Sequence, residues 1–172
     1  MRFFEHRNST THSPLVEVEM MVDAEAAEIF RAWSESDRLR EWWGPEGFSA
    51  PVARLNFKVG GKYLIFFRSD DGERQIWSTG EYLAIDPEHR ILCSDLPSNS
   101  EGEVVKPAQG PFADVGESFI TLELEPVRDN QTLVSLFHEG LPARIHDDCV
   151  EGWTSSLRKL KRLVEKKSSA AA

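Results

Sequence analysis

The chain has 172 residues, 40% hydrophobic and 28% charged, with a formal net charge of −9. That is enough for one domain burying roughly 70% of its unfolded surface. The charge argues against nucleic acid and acidic membrane surfaces as partners, which need clustered cations to neutralise phosphate.

In chain order, residues 1–14 mix charge, Ser, Thr and His without periodicity and are expected to form a flexible tail. No signal peptide is read there. Val16, Val18, Met20 and Val22 then alternate with Glu17 and Glu19, the period of a half-buried strand. Asp23 stands where an N-cap is expected, before the helix-forming run 24–28. Ala26, Ile29, Phe30 and Trp33 share one face of that helix. A second short helix, from Ser34 or Ser36, carries Leu39, Trp42 and Trp43 and stops at Gly44-Pro45.

Strands are predicted over 52–57, 62–68, 75–85 and 90–95, with turns at Gly60-Gly61, Asp70-Asp71-Gly72 and Asp86-Pro87-Glu88. Gly80, inside the longest of these strands, marks a bulge or a close approach. The proline-bearing segment 97–116 is long for a connection and reads either as a lid or as a mobile insertion. Strands over 118–125 and 132–138 follow. The last helix spans about 143–166, with His146, Cys149, Val150, Trp153, Leu157, Leu160 and Val164 on one third of its circumference. The basic residues from Arg158 to Lys167 complement its negative end. Residues 167–172 read as a second flexible tail, leaving 15–166 as one domain.

One strand, two helices, six strands and a long helix give an α+β fold: an antiparallel sheet with helices on one face. A curved sheet gripping the amphipathic helix leaves a hollow. Trp33, Trp42, Trp43, Trp77 and Trp153 lie on elements around it, and aromatic walls suit apolar pockets.

Several runs carry a family resemblance: Val22-Asp23-Ala24 through Ile29-Phe30-Arg31-Ala32-Trp33, Leu39-Arg40-Glu41-Trp42-Trp43-Gly44-Pro45, Val59-Gly60-Gly61-Lys62-Tyr63, Gly80-Glu81-Tyr82-Leu83-Ala84-Ile85, and Gly152-Trp153 with Leu157 and Leu160. In order and spacing the chain resembles the START-like superfamily. Within it, the chain is most similar to single-domain proteins related to the activator of the ninety-kilodalton heat-shock protein's ATPase. The resemblance implies the helix-grip fold, seven antiparallel strands curved around a long C-terminal helix, with a hydrophobic cavity between sheet and helix. It supplies no catalytic motif, and members range from lipid carriers and hormone receptors to cyclases and co-chaperones.

The residues expected to line the cavity are Trp42, Phe66, Trp77, Leu122, Leu136, His146, Trp153 and Leu157. His146, on the apolar stripe, reads as a polar contact or general base, or as a core histidine satisfied by a carbonyl. His138 ends a strand on the same face as Val134 and Leu136. Asp147 lies about 100° from His146 on the helix, so no metal set is expected. Cys93 and Cys149 lack CxxC and zinc spacing and read as buried thiols in a reduced compartment. Gly152, inside the helix, suggests close packing.

Without a GxSxG elbow or a glycine-rich phosphate loop, no catalytic residue and no cofactor are expected. No stretch approaches the ~18 apolar residues of a membrane span. The expectation is a cytoplasmic, non-enzymatic binder of a small hydrophobic or amphipathic molecule such as a lipid, polyketide or aromatic compound. Two alternatives stand beside it: a co-chaperone stimulating a heat-shock-protein ATPase, and a cyclase or hydrolase using His146 in the same cavity.

Overall fold

The computed structural model describes residues 14–170; the expected tail at 1–14 falls almost wholly outside them. Among the described residues the chain forms β1 (Val16–Val22), α1 (Ala26–Ser34), α2 (Ser36–Arg40), β2 (Phe48–Leu55), β3 (Lys62–Ser69), β4 (Gln75–Asp86), β5 (Arg90–Pro97), β6 (Ser118–Arg128) and β7 (Gln131–Glu139). A short 3₁₀ turn (Ala143–Ile145) then leads into α3 (His146–Ala170). The seven strands make one antiparallel sheet in the order β1-β7-β6-β5-β4-β3-β2. Hairpins explain that order from β2 to β7, while β1 closes the far edge against β7, pairing Val16 with His138 and Val22 with Thr132.

Strand alternation divides the sheet into two faces. Val18 and Val22, Tyr63 and Ile65, Tyr82, Ile91 and Cys93, Ile120, Leu122 and Leu124, and Val134 and Leu136 share one buried cluster on the concave face. The α3 stripe closes onto it through Leu157, Leu160 and Val164, each no more than 1% exposed. A smaller cluster of Val16, Val115, Leu141 and Ile145 seals the end of the sheet near the start of α3. Segment 97–116 belongs to the structure at both of its ends: Ser98 bridges Val104, Val115 enters the smaller cluster, and Arg144 donates to the carbonyls of Pro111 and Ala113.

Some boundaries differ from the sequence reading. Asp23 does not cap α1, whose N-cap position is Glu25 without a side-chain bond. Instead Asp23 ties the end of β1 to its surroundings, accepting from Gln131 and donating its N–H to Glu165, both at 2.9 Å. Trp42 and Trp43 follow α2 instead of lying inside it, and Gly44 takes the left-handed φ of 89° that turns the chain away. A side chain at Gly152 would meet open space, so close packing does not explain that glycine. α3 continues to Ala170, past the expected end at 166.

Gly80 has a clear packing reason. Tyr63 pairs with Gly80 across β3 and β4, the register on either side sets Gly80 opposite Asp95, and Asp95 pairs with Ser118. A Cβ on Gly80 would lie 1.8 Å from the Ser94 carbonyl oxygen and 2.7 Å from the Tyr63 ring. The missing side chain lets Tyr63 lie across β4 and reach β5. Gly80→Ala should therefore cost about 2–3 kcal/mol of stability through overpacking against backbone, read from the urea midpoint at unchanged m-value.

Candidate functional site

Four indoles fill the part of the concave space that α3 does not cover. Trp33 comes from α1, Trp42 and Trp43 from the turn after α2, and Trp153 from α3. Ring centroids lie 4.9 Å apart for Trp33 and Trp42, 5.6 Å for Trp33 and Trp43, and 5.4 Å for Trp43 and Trp153. Trp33 and Trp153 stack at 6.1 Å. Trp42 is fully buried and donates its N–H to the Ala32 carbonyl at 2.9 Å. Trp33 is 5% exposed, yet its indole N–H has no partner among the described residues. An orphaned buried donor of this kind costs about 1–3 kcal/mol.

Between this wall and the sheet lies a cavity lined by Trp33, Leu39, Trp43, Tyr63, Ile65, Tyr82, Ile91 and Cys93. It leaves about 20 Å³ for the centre of a water-sized sphere. That is room for about one water, whereas an apolar cavity that admits benzene measures about 150 Å³.

The expected lining residues fall elsewhere, for identifiable reasons. Leu122, Leu136 and Leu157 are core, 0–1% exposed, because the long side chains of the α3 stripe reach the concave leucines and fill the space expected to be hollow. Trp42 is sealed behind its neighbours, and Trp43 lines the cavity instead. Phe66 and Trp77 occupy the opposite sheet face, since Tyr63 and Ile65 of alternate parity point inward. They stack on each other there at 4.5 Å as a cross-strand pair.

His146 lies at the surface end of α3, bonded to Asp147 at 2.8 Å and to the Leu15 carbonyl at 3.1 Å. These two bonds raise its pKa above the ordinary value. It is the carbonyl-satisfied histidine, on the protein's outside rather than in its core. Of the expected set, Trp42 and Trp153 belong to the indole cluster, and neither lines the cavity.

The inward histidine is His138. Indole only donates, so the 3.1 Å bond from Trp153 Nε1 requires His138 Nδ1 to accept. The imidazole proton then sits on Nε2 and is donated to Ser118 Oγ at 2.9 Å, and Ser118 donates onward to the Asp95 carbonyl at 3.2 Å. This chain links α3, β7, β6 and β5 and uses both ring nitrogens. Burial pushes the His138 pKa down to about 4, so the ring is neutral near pH 7.

Asp95 stands beside this chain, half-buried, on the same inward parity as Ile91 and Cys93. Burial raises its carboxyl to about 6, while hydrogen bonds from Tyr63 and Ser78 hold it from rising further. The neighbouring thiols are inert: burial lifts Cys93 to about 12 and Cys149 to about 11.

This fold has counterparts among known proteins. The family model described as "Activator of Hsp90 ATPase homolog 1-like protein" matches residues 23–165. The chain belongs to that family. A crystal structure from Chromobacterium violaceum is similar at 26% identity, with 88% of this chain and 98% of that chain covered and a TM-score of 0.73. A member of the same family from Silicibacter pomeroyi is 20% identical over 90% of this chain and 99% of that one, at a TM-score of 0.72. A solution structure from Arthrobacter aurescens reaches a TM-score of 0.76 at 18% identity, covering 90% of this chain and 87% of that one. No curated protein matches the chain.

In this family member the turn after α2 is fastened to α3. Lys159 donates to the Gly44 and Phe48 carbonyls at 3.0 and 3.1 Å, Ser155 accepts from the Glu46 N–H at 2.8 Å, and Arg162 pairs with Glu46. Motif reading passed over Asp95 and Tyr63, which the fold brings together beside the cavity. The signal for Asp95 was parity: it falls two residues after Cys93 and four after Ile91 on one strand. Tyr63 needed the tertiary contact across Gly80 to acquire a role.

Asp95 and His138 give stability opposite pH dependences. The carboxyl's folded pKa is above its unfolded value, so its contribution falls as pH rises from about 3.8 to about 6. The imidazole's is below, so its contribution falls as pH drops from about 6.5 to about 4. In Asp95→Asn the first term disappears. The variant should match the parent below pH 4 and exceed it by up to about 3 kcal/mol at pH 7, as followed by urea denaturation across that range. By ¹⁵N NMR, His138 should hold its Nε2–H tautomer until about pH 4, while His146 titrates above its ordinary value.

Proposed function

We propose that this family member binds a small, mainly apolar molecule, without chemistry, between the Trp33–Trp43–Trp153 wall and the β3–β5 part of the concave sheet. The observation that carries this reading is the apolar cavity, whose lining includes Trp33, a residue whose buried N–H finds no partner among the described residues. Buried donors are ordinarily satisfied, and one left over beside a cavity marks a place for an acceptor. The resting cavity suits one water, so a larger guest enters by displacing the turn after α2 and Trp43. That turn is short and held to α3 by the Lys159, Ser155 and Arg162 contacts together with the Trp43–Trp153 packing. A cytoplasmic location accompanies this reading, supported by two free cysteines. Among the described residues no helix is long and apolar enough to cross a membrane.

The family description supports a second reading, stimulation of a heat-shock-protein ATPase. The acidic balance of the chain would suit a basic partner patch. Adding the protein to the chaperone and following ATP turnover separates the two readings, because a ligand carrier leaves that rate unchanged.

Titration with naphthalene, a flavonoid and a medium-chain fatty acid, followed by tryptophan fluorescence and melting temperature, tests the binding reading. At least one guest should quench the indoles and raise Tm by several degrees. Lys159→Met should speed its association severalfold, and Cys93→Leu, which fills the cavity, should abolish binding in a folded protein. Unchanged fluorescence and Tm in both the parent and Lys159→Met would refute the reading.

A further inference from the structure

Resting on that binding reading, we infer that Asp95 is the polar anchor of the site and that the guest carries a cationic amine on its small apolar body. The argument is one of unfilled acceptor capacity. An ionised carboxylate offers about four lone-pair positions. Among the described residues Asp95 receives only the Tyr63 hydroxyl, at 2.7 Å, and a bond from Ser78.

Even the Tyr63 bond is shared. The same hydroxyl lies 2.8 Å from the Ser94 carbonyl, and one phenolic proton cannot fully serve two acceptors. The proton chain through His138 and Ser118 ends on the backbone carbonyl of Asp95, leaving its carboxylate untouched.

Charge is also uncompensated. Among the described residues, no Lys, Arg or His forms an ion pair with Asp95. The titratable groups around it are Tyr63 of β3, Tyr82 of β4, Cys93 of β5, His138 of β7 and Cys149 of α3, none of them cationic near pH 7. Carboxylates removed from water are ordinarily paired.

The placement suits a ligand contact. Asp95 is half-buried, and Tyr63 and Cys93 next to it line the cavity. Gly80 opposite it adds no side chain to block the approach. A guest whose ring enters beside Trp33 and Trp43 and whose ammonium reaches Asp95 supplies both the missing donor and the missing charge. The indole faces favour the same cation.

Three probes of one shape test this: 2-naphthylmethylamine, 2-ethylnaphthalene and 2-naphthylacetate, titrated at pH 7.5 by tryptophan fluorescence. The amine should bind at least about tenfold more tightly than the hydrocarbon, with the carboxylate weakest. Asp95→Asn should erase that preference while keeping hydrocarbon affinity, and Asp95→Ser provides a second uncharged variant. Glu125→Gln, at an exposed position of β6 away from the site, should leave the preference intact, which separates a local anchor from general attraction to a chain of net charge −9. Equal affinity for amine and hydrocarbon, or a preference that survives in both Asp95 variants, overturns the inference while leaving the binding reading standing. Failure of all three probes to bind overturns both.

Discussion

The packing of four indoles against one another sets the shape of this molecule's interior. A curved sheet presents more concave surface than one helix can cover, and α3 lies chiefly along β1, with Trp153 reaching β7. The remainder, over β3 to β5, is closed by Trp33, Trp42, Trp43 and Trp153, whose rings meet at tilted, edge-on and stacked geometries. Each such side chain removes on the order of 200 Å² from water, a gross gain of about 5 kcal/mol. Rigid rings cannot fill a curved space completely, and the residue of that mismatch is the small cavity beneath Trp33 and Trp43.

A row of polar groups crosses the floor of the same space. Tyr63, Gly80, Asp95 and Ser118 come from four successive strands, and their order follows from antiparallel register alone. The absence of a side chain at Gly80 lets the tyrosine span a strand to meet Asp95. On the helix side, Trp153 joins the aromatic wall and also fixes the His138 tautomer through its N–H. One residue thus couples the apolar wall to the polar floor, and a shift of α3 would disturb both.

Fold legibility and site legibility diverged for a physical reason. Strand and helix periods record which residues face inward, and they indicated the element order and the antiparallel hairpins, while the family rested on the resemblance of particular runs such as 39–45 and 59–63. They say nothing about how far an inward side chain reaches. Leu122, Leu136 and Leu157 were read as cavity walls, but side chains from opposite layers met and filled the gap. Phe66 and Trp77 show the other weakness, since one step of strand parity moves a ring to the opposite face. His146 meets a backbone carbonyl, one of its two readings, but outside the core, because the apolar stripe runs out at the helix start and ends beside Leu15.

The chain's own order of residues determined the architecture: alternation for the strands, a one-third apolar stripe for α3, and glycine where the chain turns or crosses closely. Tertiary structure alone decided which inward residues remained next to empty space and which polar groups lacked partners. Those properties depend on distances between segments far apart in sequence, such as Tyr63 to Asp95 and Trp153 to His138. Local periodicity carries no information about distances of that kind.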